Sequence, residues 1–529
     1  MSETVAPEAP APAPTRWISL AGTCTAAGLV WLAFADLGVA IPTIADDLHA
    51  DLSALQWANN AFSLVTGALV IAAGKFGDVF GRRRMLLIGV ALFAGFSVIG
   101  ATADDVSTLV IGRGLMGVGA ALILPATLAV IPPQFSGKAQ LTAFGVWQAV
   151  AWGGQAIGPA IGGVITDGPG WAWLFWINVP LGIVAYLVVA RFTPESKDAD
   201  ASSAIDWPGL ITIGLAVFAL LYALTDGPTL GWGDPLIVGL LVLAVVLAVS
   251  WYVIEKRVGE PLVDLRLFRI RSYDGALTAN LTMNVAFAGI SYILVLWLQN
   301  ARGYSAVEAG LLMLPSTVGI FAFIPLGGRM SQRRGSRTPV LIGLVVMAVG
   351  LVVIGQLSVD STLLLLGGGL VIVGLGLGLL STPISNTAVG EAPPELAGTA
   401  AGVFKMSSMV GGALGVAVLT AIARSATEGD VDVAAKSAGM SGDEIDQAQR
   451  ALVQSTSFAE AIAKLPSELA QKVTDAAVRA FTDGVAQSMV ATGVLAVLAT
   501  VVVAVLWPKG ASPDAATTST EPDPSSDTP

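Results

Sequence analysis

Residues 74–84 read GKFGDVFGRRR and interrupt a long apolar stretch with one carboxylate, Asp78, and a run of arginines, Arg82 to Arg84. Residues 328–337, GRMSQRRGSR, interrupt a later apolar stretch in a similar way. Equivalent glycines are 254 positions apart in three places: Gly74 and Gly328, Gly81 and Gly335, and Gly158 and Gly412. Two similar polar segments at one offset predict an internal repeat, so we expect the chain to fold as two related helical halves.

The composition around these segments is that of a membrane protein. Charged residues are 12% of the 529 residues, against about 25% in soluble domains, and the hydrophobic set is 54%. The net charge of −11 argues against a nucleic-acid partner, which needs a basic face. The single Cys24 and the single His49 argue against a disulfide framework, a Cys- or His-cluster metal site and a Ser-His-Asp triad built in the membrane. We therefore expect an all-α polytopic membrane protein without a metal or a cofactor.

Fourteen apolar stretches are long enough to cross a bilayer, which takes about 20 helical residues. Their approximate limits are 18–41, 54–73, 85–103, 106–130, 140–165, 172–190, 206–224, 235–254, 273–298, 307–328, 338–357, 362–386, 396–422 and 485–507.

The distribution of basic residues predicts the orientation of these helices. With the N-terminus inside, 18 of the 27 arginines and lysines lie on the cytoplasmic side, whereas the short external loops carry only Arg302 and many aspartates. Both termini are therefore predicted to be cytoplasmic. Residues 1–15 and 510–529 have the composition of disordered tails. The external segment 423–484 also carries basic residues, but the preference of basic residues for the cytoplasmic side applies only to short loops. Helical periodicity over residues 443–482 predicts short surface helices in this segment.

The fifth predicted helix carries GQAIGPAIGG at residues 154–163. Gly154, Gly158 and Gly162 are spaced four residues apart, so they clear one helix face for the close approach of another helix. Gly163 extends the small-residue pattern, and Pro159 lacks a backbone N–H and permits a kink. An ordinary packing face explains the same glycines, but the complete pattern is far more specific than a lone G-x-x-x-G pair.

Both motifs resemble those of the major facilitator superfamily, and the second resembles the antiporter motif of its drug exporters. Residues 171–182, WAWLFWINVPLG, resemble the W-R-W-x-F-x-I-N-x-P segment of the fourteen-helix drug:proton antiporters of the QacA/EmrB type. Residues 113–120, RGLMGVGA, resemble their R-x-x-Q-G-x-G-A motif. The resemblance implies a major facilitator fold: a six-helix bundle over 16–191, an inserted helix pair over 206–254 and a second six-helix bundle over 273–507.

The resemblance also implies a function. Such proteins export small amphipathic organic compounds by alternating access, driven by the proton gradient across the bacterial cytoplasmic membrane. A monomer in the lipid bilayer is expected. A symporter or importer of a nutrient on the same fold is the main alternative, and the complete pattern of residues 154–163 favours export over it. A non-transporting membrane sensor is a further alternative, but the sequence carries no soluble output domain.

The first motif is a candidate gate made of Gly74, Asp78, Gly81, Arg82 and Arg83. Asp78 can accept hydrogen bonds from a helix N-terminus in the other half of the molecule. Topology anchoring by the positive charges alone is the alternative interpretation.

Asp36 and Arg113 are the candidate proton-coupling pair. Asp36 stands three residues after Ala33, the position where the family carries an aspartate in its first helix. The two side chains lie at similar predicted depth, about 9 and 10 Å below the outer surface. An isolated charge at that depth carries a large free-energy cost, so the two are expected to be partners. A permanent ion pair that only holds the helices together is the alternative.

Five polar or aromatic residues are candidates for a substrate cavity: Trp147, Gln148, Asn280, Asn284 and Lys405. Tryptophans also lie at lipid or helix interfaces, and the Asn280–Asn284 stripe also fits a hydrogen bond to a neighbouring helix. Lys405 and Ser408 stand where the family often carries Asn and Arg, which bears on the charge of the substrate. Lys405 lies about 13 Å inside the membrane, where snorkelling to the headgroups is the alternative to facing a cavity.

Overall fold

The computed structural model describes residues 13–50, 52–197, 206–259, 261–437, 441–444 and 465–507, and all regular structure among them is helical. Most of the predicted tail 1–15 and all of the tail 510–529 lie outside these residues; Ala13 to Thr15 already belong to the first helix. The helices are α1 (Ala13–Ala33), α2 (Leu37–Leu48), α3 (Leu52–Phe80), α4 (Arg82–Ala101), α5 (Val106–Ala129), α6 (Gly137–Asp167), α7 (Trp173–Trp176), α8 (Asn178–Phe192), α9 (Trp207–Leu230), α10 (Pro235–Glu255), α11 (Arg271–Asn300), α12 (Ala306–Arg334), α13 (Arg337–Ile354), α14 (Leu363–Ser385), α15 (Ala397–Ser437) and α16 (Ser467–Leu506).

Twelve spans formed by these helices are long and apolar enough to cross a bilayer, and α1 with α2 forms a bent thirteenth. Helix α6 has 31 residues and is long enough, but it is not among these spans. Valines on α10, such as Val242, Val245 and Val249, are exposed. Exposed apolar side chains along a whole helix are expected where lipid replaces water.

Helices pack most extensively within each half of the chain. In the first half α5 packs between α3 and α4, and α1 packs against α6 and α8. In the second half α14 packs against α12 and α13, and α15 packs against α11 and α16. Contacts between the halves run mainly through α3 with α15 and through α6 with α12. Helix α9 packs against α10, α3 and α15, so α9 lies at one side of the junction between the halves.

The segment 74–84 is not a loop. Residues 74–80 form the last two turns of α3, α4 begins at Arg82, and Gly81 alone separates them with φ 107°. Only glycine adopts this angle readily, because a side chain would strain the backbone. Gly335, its equivalent in the repeat, joins α12 to α13 with φ 74°. The predicted repeat therefore extends to backbone conformation.

The predicted single span 18–41 is broken. Helix α1 ends at Ala33, α2 begins at Leu37, and the two helices are bent by 52°. Pro42, expected near the membrane exit, lies inside α2. The break leaves the carbonyl of Ala33 without a helical partner, and the guanidinium of Arg113 donates to it at 2.8 Å. A side-chain donor thus satisfies a backbone group that water cannot reach.

The long segment 423–484 also differs from expectation. Helix α15 continues from the predicted thirteenth span to Ser437, and α16 begins at Ser467, 18 residues before the predicted fourteenth span. Residues 423–437 and 467–484 are therefore extensions of spanning helices, whereas residues 442–444 are helical and belong to neither extension; residues 438–440 and 445–464 lie outside the described residues. Lys472 of α16 forms an ion pair with Glu444 at 3.8 Å, so residues 441–444 lie against α16.

Candidate functional site

A cavity of about 590 Å³ lies between the two halves of the molecule. Its wall is formed by α1 to α3, α5, α6 and α9 on one side and by α11 and α15 on the other. It extends from Lys405 to Gln56, near the start of α3, and to the exposed Thr229, near the end of α9. The cavity therefore reaches the surface at the end of the molecule opposite to Asp78.

Lys405 of α15 lies at the inner end of this cavity. Its side chain is buried, with Nζ 4.3 Å from the centroid of the Trp147 ring and 5.2 Å from those of Trp31 and Phe404. Trp147 is fully buried, and its indole N–H donates to Thr127 at 3.1 Å. Trp147 therefore forms part of the lysine's surroundings rather than a lipid-facing surface.

Amide side chains surround a smaller cavity next to Lys405, which Gln148, Gln155, Asn280 and Asn284 line. Asn280 donates to the carbonyl of Phe404 at 3.0 Å and lies 2.7 and 2.8 Å from the hydroxyls of Ser407 and Ser408. Asn284 donates back to the Asn280 carbonyl at 2.8 Å. The predicted asparagine stripe thus does both things considered for it: it bonds the neighbouring helix α15, and it lines a cavity.

Gln148 and Trp152 join α6 of the first half to α14 of the second. Gln148 donates to the carbonyl of Ser381 at 3.2 Å, and the Trp152 indole donates to the Ser381 hydroxyl at 3.1 Å. Trp152 also contacts Phe287 edge to face, with ring centroids 4.6 Å apart. These contacts lie beneath the inner end of the cavity, and Gln148 therefore bridges the two halves.

Asp78 closes the other end of the molecule. Its carboxylate accepts hydrogen bonds from the backbone N–H groups of Gly398 and Thr399, both at 2.7 Å, and from the Thr399 hydroxyl at 2.9 Å. These groups form the N-terminus of α15, where the helix dipole favours a negative charge. Arg82 forms an ion pair with Asp78 at 2.8 Å and also donates to the carbonyl of Pro394. We refer to Asp78, Arg82, Pro394, Gly398 and Thr399 as the Asp78 clasp.

Glycines allow the clasp to form. A Cβ on Gly74 would collide with the carbonyl of Gly398, and a Cβ on Gly398 would collide with that of Gly74. Helices α3 and α15 therefore cross with backbones in contact, which brings Asp78 to the end of α15. Arg83 has a different role within the first half: its backbone N–H donates to Glu195 at 3.1 Å, and its side chain donates to the carbonyl of Ala190.

A further connection between the halves, near the Asp78 end, was not predicted. Gln140 of α6 donates to the side-chain oxygen of Asn386 and to the carbonyl of Gly390, both at 3.1 Å. Asn386 and Thr387 in turn bond Glu391 at 3.2 Å. Burial raises the pKa of the Glu391 carboxyl above its ordinary value, and these two bonds oppose the shift. Asn386, Thr387 and Gly390 lie in a π-helical turn, Asn386–Gly390, and Glu391 follows it; such turns are frequent at functional sites.

The glycine face of α6 lies against the break between α1 and α2. A Cβ on Gly158 would lie 2.6 Å from the Cβ of Ala35, and one on Gly162 would lie 2.5 Å from the carbonyl oxygen of Asp36. Gly154 faces Trp31 and Leu32 in the same way. Gly163 has more space, and Pro159 is exposed within an α6 that continues on both sides of it. The four-residue spacing thus serves the close approach of two helices within one half.

Asp36 and Arg113 are both buried, but they do not form the expected ion pair. Arg113 donates to the carbonyl of Ala33 and to the Asn59 side chain at 3.0 Å, and it lies 4.5 Å from the Phe62 ring. Within the described part of the chain no cation lies within 4.0 Å of the Asp36 carboxylate. The helix break, which the sequence did not reveal, supplies the oxygen that Arg113 bonds instead.

Two helical halves around a central cavity that is closed at one end define a membrane transporter. A model described as Major Facilitator Superfamily matches residues 23–416, and the chain belongs to that superfamily.

Several relatives of known name are similar along most of their length. The chain is 34% identical over 421 residues to the puromycin resistance protein pur8 of Streptomyces alboniger, covering 79% of this chain and 83% of that protein. It is 33% identical over 403 residues to the tetracenomycin C resistance and export protein of Streptomyces glaucescens (76% and 75%). It is 32% identical over 395 residues to the quinolone resistance protein NorB of Staphylococcus aureus strain MRSA252 (74% and 85%). Among solved structures, the human organic anion transporter MFSD10 shares the fold, with a TM-score of 0.60 and 14% identity over 93% of this chain and 100% of that one.

Proposed function

We propose that this protein is a proton-coupled exporter of amphipathic organic compounds that works by alternating access. The observation that carries the proposal is the cavity between the halves, which reaches one end of the molecule while the Asp78 clasp closes the other. The names of the relatives support export of antibiotics and drugs. The amphipathic lining of tryptophans and amides supports substrates of mixed polarity.

The Asp78 end is proposed to be cytoplasmic, because Arg82 to Arg84 and Arg333 and Arg334 lie there. Arg16 of α1 bonds the carbonyl of Gln134, in the same connection that leads to Gln140. At the chain's other end Arg337 bonds the carbonyl of Trp507. Both ends of the described chain therefore lie at the Asp78 end, which requires an even number of crossings. Counting α6 gives fourteen spans, as in the QacA/EmrB type, with bundles over 16–191 and 273–507 and the pair 206–254 between them.

In this state the cavity faces the outside, and substrate release precedes opening of the clasp. Asp36 is proposed as the residue that carries the proton, since it is buried at the break in the first span and Gly162 contacts its backbone. Movement of α2 relative to α6 would change the surroundings of its carboxyl group. Arg113 then acts as a fixed positive charge near Asp36 rather than as its bonded partner.

Everted membrane vesicles with an acidic lumen test this proposal directly. An exporter that exchanges substrate for protons will accumulate an amphipathic dye in the lumen, and a protonophore will abolish the accumulation. A nutrient symporter would instead carry its substrate out of the lumen together with protons. Vesicles that contain the well-expressed protein but show no gradient-dependent dye movement in either direction would refute the proposal.

A further inference from the structure

Lys405 is a buried cation without an anionic partner. Its exposed fraction is 4%, and no carboxylate oxygen in the described ranges lies within 4.0 Å of its Nζ. Two other buried cations are satisfied by oxygen atoms: Arg82 by Asp78 and Arg113 by Ala33 and Asn59. The Nζ of Lys405 lies near the faces of Trp31, Trp147 and Phe404, and among the described residues no oxygen accepts a hydrogen bond from it.

The aromatic faces account for only part of this arrangement. A cation over an aromatic ring gains some electrostatic stabilisation, most when the site is dry. Removing an ammonium group from water costs far more unless oxygen atoms replace its hydration. The rings therefore hold the side chain in place and leave its hydrogen-bond donors free for an oxygen that the protein itself does not supply.

A second unsatisfied donor lies in the same cavity. The indole N–H of Trp31 is buried and has no hydrogen-bond acceptor in the structure. Trp31 and Lys405 line both the larger and the smaller cavity, so the two donors border one space. Two donors without acceptors at the inner end of an aromatic cavity point to a ligand that brings its own acceptors.

The carboxylate among the lining residues of this cavity is that of Asp226 on α9, which lines the larger cavity only. Its negative charge disfavours a ligand with several acidic groups. The charges of Lys405 and Asp226 together fit a ligand with one acidic group, whose aromatic part would lie along Trp31, Phe34 and Phe287.

We infer that the cavity binds aromatic compounds carrying a single acidic group, whose anionic oxygens accept hydrogen bonds from Lys405 and Trp31. This inference rests on the proposed transport function and adds the chemical class of the substrate. It separates this chain from exporters selective for lipophilic cations, which Lys405 would repel.

Two dyes of one framework test the inference: 8-anilinonaphthalene-1-sulfonate, which carries one anionic group, and neutral N-phenyl-1-naphthylamine. Gradient-driven transport of each is measured in everted vesicles with the wild type, Lys405→Gln and Lys256→Gln. Lys256 is the matched control, because its Nζ lies 4.3 Å from the Tyr252 ring but the residue is exposed and outside the cavity. Lys405→Gln is expected to slow sulfonate transport about tenfold or more, the loss expected from one charge-assisted hydrogen bond. Transport of the neutral dye should remain, which also shows that the variant folds.

Each outcome bears on one claim. A wild type that transports the neutral dye but not the sulfonate refutes the substrate class and leaves the transport function intact. Equal loss of both dyes in a well-expressed Lys405→Gln protein also refutes it, because Lys405 would then serve the transport cycle rather than the anion. A wild type that transports neither dye under a gradient counts against the proposed function itself.

Discussion

Substituting Asp78 by Asn removes the charge from the Asp78 clasp with almost no change in shape. The carboxylate accepts three hydrogen bonds from Gly398 and Thr399 and pairs with Arg82. An amide keeps one acceptor oxygen, and its NH₂ group faces either the Gly398 or the Thr399 N–H, where two donors oppose each other. The closed end loses at least one charge-assisted hydrogen bond, about 1.5–3 kcal/mol, and the interaction with the α15 dipole, about 0.3–1 kcal/mol.

The sum, about 2–4 kcal/mol, shifts the balance between the two end states by about thirtyfold to several hundredfold, at 1.4 kcal/mol per factor of ten. The site is buried, so solvent does not weaken this value as it would at the surface. We expect the Asp78→Asn protein to insert normally, to populate the state with an open cytoplasmic end and to lose most of its efflux.

Cysteine labelling measures the shift. Cys24 is the only cysteine of the chain and is buried, so background labelling is low. A cysteine at Thr229, which lines the cavity and is exposed, reports whether the cavity is open to an impermeant maleimide. Its labelling should slow strongly with Asp78→Asn and remain unchanged with Asp105→Asn, a control whose carboxylate caps α5 within one half. Wild-type labelling and efflux in the Asp78→Asn protein would show that the clasp does not control the transport cycle.

Three further predictions concern other parts of the molecule. Asp36→Asn should abolish proton-driven efflux in vesicles while leaving membrane insertion unchanged; efflux that remains and is still collapsed by a protonophore would show that Asp36 does not carry the coupling proton. Gly158→Val should destabilise the contact between α6 and α1 by about 1–3 kcal/mol, measured as a lower thermal midpoint in detergent, whereas Gly95→Val, where a Cβ meets nothing within 4 Å, should not. A cysteine at Ser441 should react with an impermeant reagent added outside intact cells, and reaction only from the cytoplasmic side would reverse the proposed topology.

Patterns that act within one helix were predictable from the sequence. The apolar stretches, the glycine spacing of residues 154–162 and the polar breaks at 74–84 and 328–337 led to the all-helical fold and to membership of the superfamily, and both are confirmed. Each of these signals depends on residues a few positions apart, where helical geometry determines which side chains share a face.

Contacts between segments distant in the sequence were harder to predict. Asp78 could be expected to meet a helix N-terminus, but nothing local identified Gly398 and Thr399, which lie 320 and 321 positions later. The break at residues 34–36 has no proline or glycine of its own, so the chain there gave no sign that Ala33 would offer a free carbonyl to Arg113. The pairing of Asp36 with Arg113 was inferred from depth alone, and depth does not determine which oxygen a guanidinium reaches.

The repeat explains why the two sets of contacts that join the halves at the closed end differ in strength. The position equivalent to Asp78 in the second half is Gln332, which cannot hold a helix N-terminus by charge. The start of α15, Ala397, corresponds to residue 143 (397 − 254), yet α6 already begins at Gly137. No helix end therefore lies where Gln332 would need one. The second side is joined instead by Gln140, Asn386 and Gly390, whose neutral hydrogen bonds are individually weaker than those of the Asp78 carboxylate. A repeat thus predicts where two helices meet, whereas the individual residue decides how strongly that contact resists opening.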